Sequence, residues 1–275
     1  MAIITVNNVK FHVQELNPSG SQTIVMVSGM VSTLAQWYFT LAPVLAKKYH
    51  VLMFDLRGHG KTEKVTYGYD LTTIASDVIG LMDRKKIARA HILGYSFGAQ
   101  TALKCAIQFP ERFDKIVLIE CPSTQHTMIH RYMKENKITD IEKVKRELPN
   151  DVLKRYNIER ETAFVEGQTD KKRKFLGISM FKTFEFLCQQ TTLLEDLLSE
   201  DIFPEEDLEK ITSEVLLLFG KESDCLKEAE RLHNHIESTS YFLKNGGHWF
   251  IMENPGDSFD NILHFLQTPV RELIN

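Results

Sequence analysis

The chain has 275 residues, of which 43% are hydrophobic and 25% charged, and its formal net charge is −4. These fractions are ordinary for a soluble globular protein with a sizeable core. The negative charge balance argues against a nucleic-acid partner, because nucleic-acid binders usually carry a basic face.

The sequence also shows no sign of secretion or membrane insertion. The N-terminus lacks a basic segment followed by a long apolar run, which is the pattern of a signal peptide. No apolar stretch approaches the roughly 18–20 residues that span a bilayer. The four cysteines are scattered and form no CxxC pair, which is typical of reduced thiols in a cytoplasmic protein. We expect a cytoplasmic protein with no membrane span, metal or cofactor, and the oligomeric state stays open.

Apolar runs alternate with helical segments in the first part of the chain. Residues 3–16 predict a β-hairpin, because the turn-like pair Asn7-Asn8 interrupts them. Residues 23–27 and 51–56 predict strands, with a helix at 41–48 between them.

The alternation continues, and its elements are as follows: a helix after Asp70 with apolar residues at helical spacing, a strand at 90–93, a helix at 97–108 stopped by Pro110, strands at 115–120 and 215–219, a helix at 227–236, a strand at 240–243 and a helix at 257–266. Counting the hairpin, this order predicts an α/β protein with about eight strands. The sheet should be mostly parallel, with helices on both faces.

One long segment, residues 123–211, interrupts this order. It contains no convincing strand, and its apolar spacing predicts helices such as 141–148 and 174–187. A structureless loop of that length is implausible in a compact domain. We therefore predict a helical cap (lid) at 123–211, inserted into a core domain of residues 1–122 and 212–275.

The strongest chemical signal is Gly94-Tyr95-Ser96-Phe97-Gly98, which matches G-x-S-x-G. It stands between a predicted strand and a predicted helix, which is the setting of a nucleophile elbow. Such a sharp turn lifts a serine hydroxyl clear of the sheet, and the helix N-terminus faces the anion that develops during reaction. Ser96 is therefore the candidate nucleophile.

A serine hydroxyl needs a base to take its proton, and His248 is the best candidate. It follows the last predicted strand in Asn245-Gly246-Gly247-His248, where two glycines allow a tight loop. Its place in the order Ser…Asp…His distinguishes it from other loop histidines.

The third member of a triad should be a carboxylate that orients the imidazole. The loop after the strand at 215–219 offers Asp224, which we favour, and Glu222. Glu120, at the end of the strand at 115–120, is a further alternative.

Several ordered motifs resemble the α/β-hydrolase superfamily over nearly the whole chain. They are Val27-Ser28-Gly29-Met30, Trp37, Phe54-Asp55-Leu56-Arg57-Gly58-His59-Gly60, the nucleophile motif 94–98 and Gly247-His248. The resemblance implies an oxyanion hole formed by the backbone N–H groups of Met30 and Phe97. It also exposes two departures. Ser28 stands where the family often has histidine, and Ser223 stands where it commonly places the aspartate.

The leading hypothesis is a serine hydrolase that cleaves a carboxylic ester, thioester or lactone of a small molecule through an acyl-enzyme on Ser96. An acyltransferase or thioesterase acting on carrier-bound acyl chains would use the same first half-reaction. A carbon–carbon bond hydrolase would use the same triad, and a non-enzymatic ligand receptor would use only the fold. The sequence does not identify the substrate.

Overall fold

The computed structural model describes residues 2–159, 171–201, 203–254 and 256–269. Eight strands form one sheet in the order β1-β2-β4-β3-β5-β6-β7-β8. Their bounds are β1 Ala2–Val6, β2 Val9–Leu16, β3 Thr23–Val27, β4 His50–Phe54, β5 Ala90–Tyr95, β6 Phe113–Ile119, β7 Glu214–Gly220 and β8 Thr239–Lys244. β2 pairs antiparallel with both neighbours, and all other pairs are parallel. The predicted α/β class and strand number are thus confirmed.

The described helices and their bounds are α1 Ala35–Tyr38, α2 Ala42–Leu45, α3 Leu71–Arg84, α4 Phe97–Gln108, α5 Met128–Asn136, α6 Ile141–Glu159, α7 Lys171–Gln190, α8 Leu193–Ser199, α9 Glu205–Glu209, α10 Leu226–His235, α11 Phe250–Glu253 and α12 Gly256–Gln267. The helix predicted at 41–48 is only the short α2, and hydrogen-bonded turns continue from it to Tyr49. None of the described helices is long and apolar enough to cross a bilayer.

The sheet is covered on both faces, which explains its continuous apolar strands. Along β3, Val25 and Val27 join one buried cluster, whereas Ile24 and Met26 join the cluster on the opposite face. Side chains alternate between faces along a strand, so a strand that is buried on both sides favours apolar residues on both.

The strand order reverses its direction at β3, and this reversal determines where a ligand site can form. β4 lies on one side of β3, and β5 lies on the other. The connections that follow β3 and β5 therefore leave the same edge of the sheet in opposite directions and open a crevice between them. Ligands of open α/β sheets bind at such a crevice, outside the carboxyl ends of the strands.

The described residues between β6 and β7 form helices, α5 to α9, and no strand. Two of their carboxylates hold the backbone that leads into α3. Asp196 accepts a hydrogen bond from the Tyr69 N–H at 2.8 Å, and Glu200 accepts one from the Leu71 N–H at 2.6 Å. These contacts attach the inserted helices to the sheet-bearing part of the chain.

Candidate active site

Ser96 occupies the sharp turn between β5 and α4. Its backbone angles, φ 54° and ψ −120°, lie in a region that L-residues rarely adopt. The turn also forces strand and helix into close approach. A Cβ on Gly94 would lie 2.1 Å from the Gly98 carbonyl oxygen, and one on Gly98 would lie 2.3 Å from the Val27 carbonyl oxygen. Both glycines of the motif are therefore required by steric crowding.

The imidazole of His248 lies beside this serine. The Ser96 Oγ is 3.0 Å from His248 Nε2, so the hydroxyl can donate to that nitrogen. His248 follows β8, and its backbone carbonyl accepts a hydrogen bond from the Tyr95 hydroxyl at 3.0 Å. The residue before the nucleophile thus fixes the backbone of the histidine, and the structure brings together the two residues predicted as nucleophile and base.

The carboxylate beside His248 belongs to Glu120, the first residue after β6. Its Oε2 lies 2.8 Å from His248 Nδ1, and the residue is fully buried. Two donors, one at the end of β7 and one in the loop after it, satisfy the same carboxylate: the Gly220 N–H donates to Oε1 and the Ser223 hydroxyl donates to Oε2. A carboxylate held at Nδ1 keeps the imidazole proton on that nitrogen. Nε2 is then free to accept a hydrogen bond from the Ser96 hydroxyl.

Asp224 does not make the contact with His248 that we predicted for it. Its carboxylate instead pairs with the guanidinium of Arg131 on α5, and its side chain is 73% exposed. Glu222, the other candidate of that loop, is also exposed. The observed contact differs from that prediction: Glu120 is the carboxylate beside His248, because β6 ends there, and the buried Ser223 stands where the resemblance implied an aspartate.

The loop after β3 approaches the nucleophile, as the resemblance implied for Met30. A Cβ on Gly29 would lie 3.4 Å from the Ser96 Cβ, so this backbone lies directly against the elbow. The N–H of Phe97, the other predicted donor, is among the first of α4, and such groups have no partner within their own helix. Ser28, which replaces the family's usual histidine, donates its hydroxyl to the Thr33 carbonyl at 3.2 Å and closes the loop.

His59 holds the far side of the same loop, a contact that sequence reasoning missed. Its Nε2 accepts the Val31 N–H at 3.1 Å, and its Nδ1 donates to the Arg57 carbonyl at 2.7 Å. Val31 has a φ of 61°, an uncommon value for a β-branched residue. Burial lowers the pKa of His59, so the ring is neutral and able to accept this hydrogen bond.

A thiol completes the surroundings of His248. The Cys225 Sγ lies 3.7 Å from His248 Nδ1. Burial, together with the charge of Glu120, raises the pKa of Cys225 to about 12. The scattered cysteines of the sequence gave no indication of this contact, since the fold brings Cys225 to the site from the turn before α10.

Comparison with known proteins identifies the family of this chain. The model of the alpha/beta hydrolase fold family matches residues 22–255. The chain is 28% identical over 280 residues to the uncharacterized hydrolase YugF of Bacillus subtilis, covering 96% of each protein.

Solved structures show the same fold. The chain is similar to MGS-M2, an alpha/beta hydrolase enzyme from a Medee basin deep-sea metagenome library, with a TM-score of 0.80 and 20% identity over 99% of this chain and 100% of that one. It is also similar to the enol-lactonase from Burkholderia xenovorans LB400, with a TM-score of 0.74 and 20% identity over 96% of this chain and 99% of that one.

Fold and family model together define the class of protein. The chain belongs to the alpha/beta hydrolase fold family. It is accordingly an enzyme, a hydrolase of that family.

Proposed function

We propose that this enzyme hydrolyses a carboxylic ester, thioester or lactone of a small molecule through an acyl-enzyme on Ser96. The observation that supports the proposal is a continuous chain of hydrogen bonds from the serine through the histidine to the carboxylate. Ser96 Oγ lies 3.0 Å from His248 Nε2, and His248 Nδ1 lies 2.8 Å from Glu120 Oε2. A hydroxyl, an imidazole and a buried carboxylate in this order are the arrangement that activates a serine for acyl transfer.

The roles follow from the protons that each atom can give or take. His248 Nε2 takes the proton of Ser96 as Oγ attacks the carbonyl carbon, and the resulting imidazolium is stabilised by Glu120. The oxyanion is held by the N–H groups of Met30 and Phe97. His248 then protonates the leaving alcohol or thiol, and afterwards takes a proton from the water that releases the acyl group.

We further propose that residues 123–211 form a cap over this site, on a core of residues 1–122 and 212–275. The pairing of Arg131 on α5 with Asp224 supports this arrangement, because Asp224 lies next to Cys225, which contacts His248. A cap so placed shields the reacting carbonyl from bulk solvent, while the water that releases the acyl group is still admitted, and its side chains select the acyl group.

The test is a comparison of the wild type with Ser96→Ala on short-chain p-nitrophenyl esters and lactones. We expect the variant to lose at least about a thousandfold in kcat while its circular dichroism stays unchanged, because alanine lacks the attacking hydroxyl. Ser76→Ala, on α3, is a matched control, since the Ser76 hydroxyl hydrogen-bonds within its own helix. A fluorophosphonate probe should label the wild type and not Ser96→Ala. Equal rates in wild type and Ser96→Ala would end the proposal.

A further inference from the structure

Three side chains with different donor atoms meet on the side of His248 that faces away from Ser96. They are the Glu120 carboxylate, the Cys225 thiol and the Nδ1 nitrogen of His248. One ligand atom from each lies within 4.8 Å of the other two. The separation is 2.8 Å between His248 Nδ1 and Glu120 Oε2, and 3.7 Å between His248 Nδ1 and Cys225 Sγ.

These separations are close to those of a tetrahedral zinc site. Zinc binds nitrogen and oxygen at about 2.0 Å and sulfur at about 2.3 Å, so two donors of one tetrahedral site are about 3.3 to 3.8 Å apart. The three donors therefore need only small side-chain rotations to share one ion. A soft thiolate with an imidazole favours zinc or cadmium, whereas magnesium and calcium prefer oxygen ligands alone.

The three ligands differ in burial. Glu120 and Cys225 are buried, whereas the side chain of His248 is 29% exposed. In zinc sites with three protein ligands a water molecule takes the fourth position, and we expect the same of an ion bound here.

We propose that a zinc-like divalent cation binds Glu120, Cys225 and His248 Nδ1 and thereby switches the enzyme off. The inhibition rests on the proposed function of Ser96 and His248, whereas the binding does not. When the ion takes the lone pair of Nδ1, the neutral imidazole carries its single proton on Nε2. That nitrogen then has no lone pair for the Ser96 proton. The Cys225 thiol releases its proton to solvent, and Glu120 coordinates the ion instead of accepting from Nδ1.

Binding can be tested without turnover. Cadmium is titrated into the Ser96→Ala protein, and the ultraviolet charge-transfer absorption of a cadmium–thiolate bond is followed. We expect saturation at one cadmium per chain. Adding Cys225→Ala should weaken binding at least about tenfold, since even outer partners of a metal site contribute that much to affinity. Adding Cys188→Ala removes a buried thiol of α7 and should leave the titration unchanged.

Inhibition is then tested with zinc on otherwise wild-type enzyme, each variant being compared with its own metal-free rate. We expect zinc to inhibit, a chelator to restore the rate, and magnesium to have no effect. Cys225→Ala should need at least about tenfold more zinc for half-inhibition. Absence of a cadmium–thiolate band, a band that survives in Cys225→Ala, or equal zinc sensitivity of wild type and Cys225→Ala would each overturn the proposal. A protein that binds cadmium through Cys225 but has no esterase activity would contradict only the function of Ser96.

Discussion

The buried carboxylate of Glu120 makes the sharpest prediction at the scale of single residues. Glu120→Gln keeps the shape of the side chain but removes the charge that stabilises the imidazolium of His248. We expect kcat/KM on an activated ester to fall by roughly a thousandfold or more. The measurement is steady-state kinetics at neutral pH, with circular dichroism to verify the fold.

Asp224→Asn is the matched control, because it removes the acid that the sequence favoured. Its carboxylate is exposed and pairs with Arg131. Exposed ion pairs contribute little, so the rate should stay within about a factor of three. The reverse result, an inactive Asp224→Asn and an active Glu120→Gln, would contradict the geometry.

The proposed nucleophile and base could be singled out from the sequence, whereas the proposed acid could not. Ser96 and His248 stand in glycine-rich motifs whose shape is dictated by local sterics. Glu120, Glu222 and Asp224 all follow strands that end at the same edge of the sheet, so spacing alone does not separate them. Only the three-dimensional packing, with Glu120 buried and Asp224 exposed, makes the choice.

His59 is expected to act as a positioning residue for the loop of Met30. His59→Ala removes the acceptor of the Val31 N–H, and the displaced loop weakens the oxyanion hole. We expect kcat to fall roughly 10- to 100-fold with KM little changed, since small misplacements act mainly on the transition state. His59→Gln, which offers an amide oxygen to Val31, should recover part of the loss. A change confined to KM would instead indicate a role in substrate binding.

At the scale of elements, the carboxylate stands just after β6, while the residues that hold it stand at the end of β7 and in the loop that follows. The Ser223 hydroxyl donates to the same oxygen of Glu120 that faces His248. An aspartate at 223 would place an oxygen in the same space if Glu120 were shortened. We therefore expect Glu120→Ala/Ser223→Asp to be at least about tenfold more active than Glu120→Ala, measured as kcat/KM.

Ser223→Asp alone provides the contrast for this exchange. It brings two carboxylates together in a buried place, and like charges in contact are unfavourable there. The single variant should therefore be less stable than the double variant in thermal unfolding. If the double variant is no more active than Glu120→Ala, a carboxylate at position 223 cannot take over the role of the carboxylate at position 120.

The elements themselves could be predicted because their patterns are physical requirements. The runs that became β3 to β7 are mostly apolar, since both faces of the sheet are covered along them. The helix predicted at 41–48 is too long. Its apolar spacing is helical over the whole segment, but only Ala42–Leu45 forms the helix α2, and the residues after it form hydrogen-bonded turns. Substrate choice stays outside such reasoning, since under the proposed cap it depends on how side chains of residues 123–211 meet the crevice.

At the scale of the whole molecule, buried neutral histidines predict how stability depends on pH. His91 on β5 is 1% exposed, and burial lowers its pKa from 6.5 to about 4. Between these values the unfolded chain binds a proton that the folded chain does not. The free energy of unfolding should therefore fall as pH drops from about 6.5 to 4, by about 3 kcal/mol from His91 alone. His59, whose pKa is also lowered, acts in the same direction.

His91→Leu removes the titrating group while keeping an apolar side chain of similar size. Urea unfolding at pH 7.5 and pH 5 should show a smaller loss of stability in the variant than in the wild type. An identical loss in both proteins would mean that His91 is not the group responsible.

The position of Glu120 after β6 has a consequence for how the molecule can be divided. Ser96 and Glu120 both lie on the strand–helix–strand unit β5-α4-β6, whereas His248 arrives only after the inserted helices. A backbone break at the exposed pair Thr139-Asp140, between α5 and α6, would leave the proposed nucleophile and acid on one fragment and the proposed base on the other. Neither fragment could turn over substrate, so the appearance of activity on mixing would report directly that β7 had re-formed its ladder with β6.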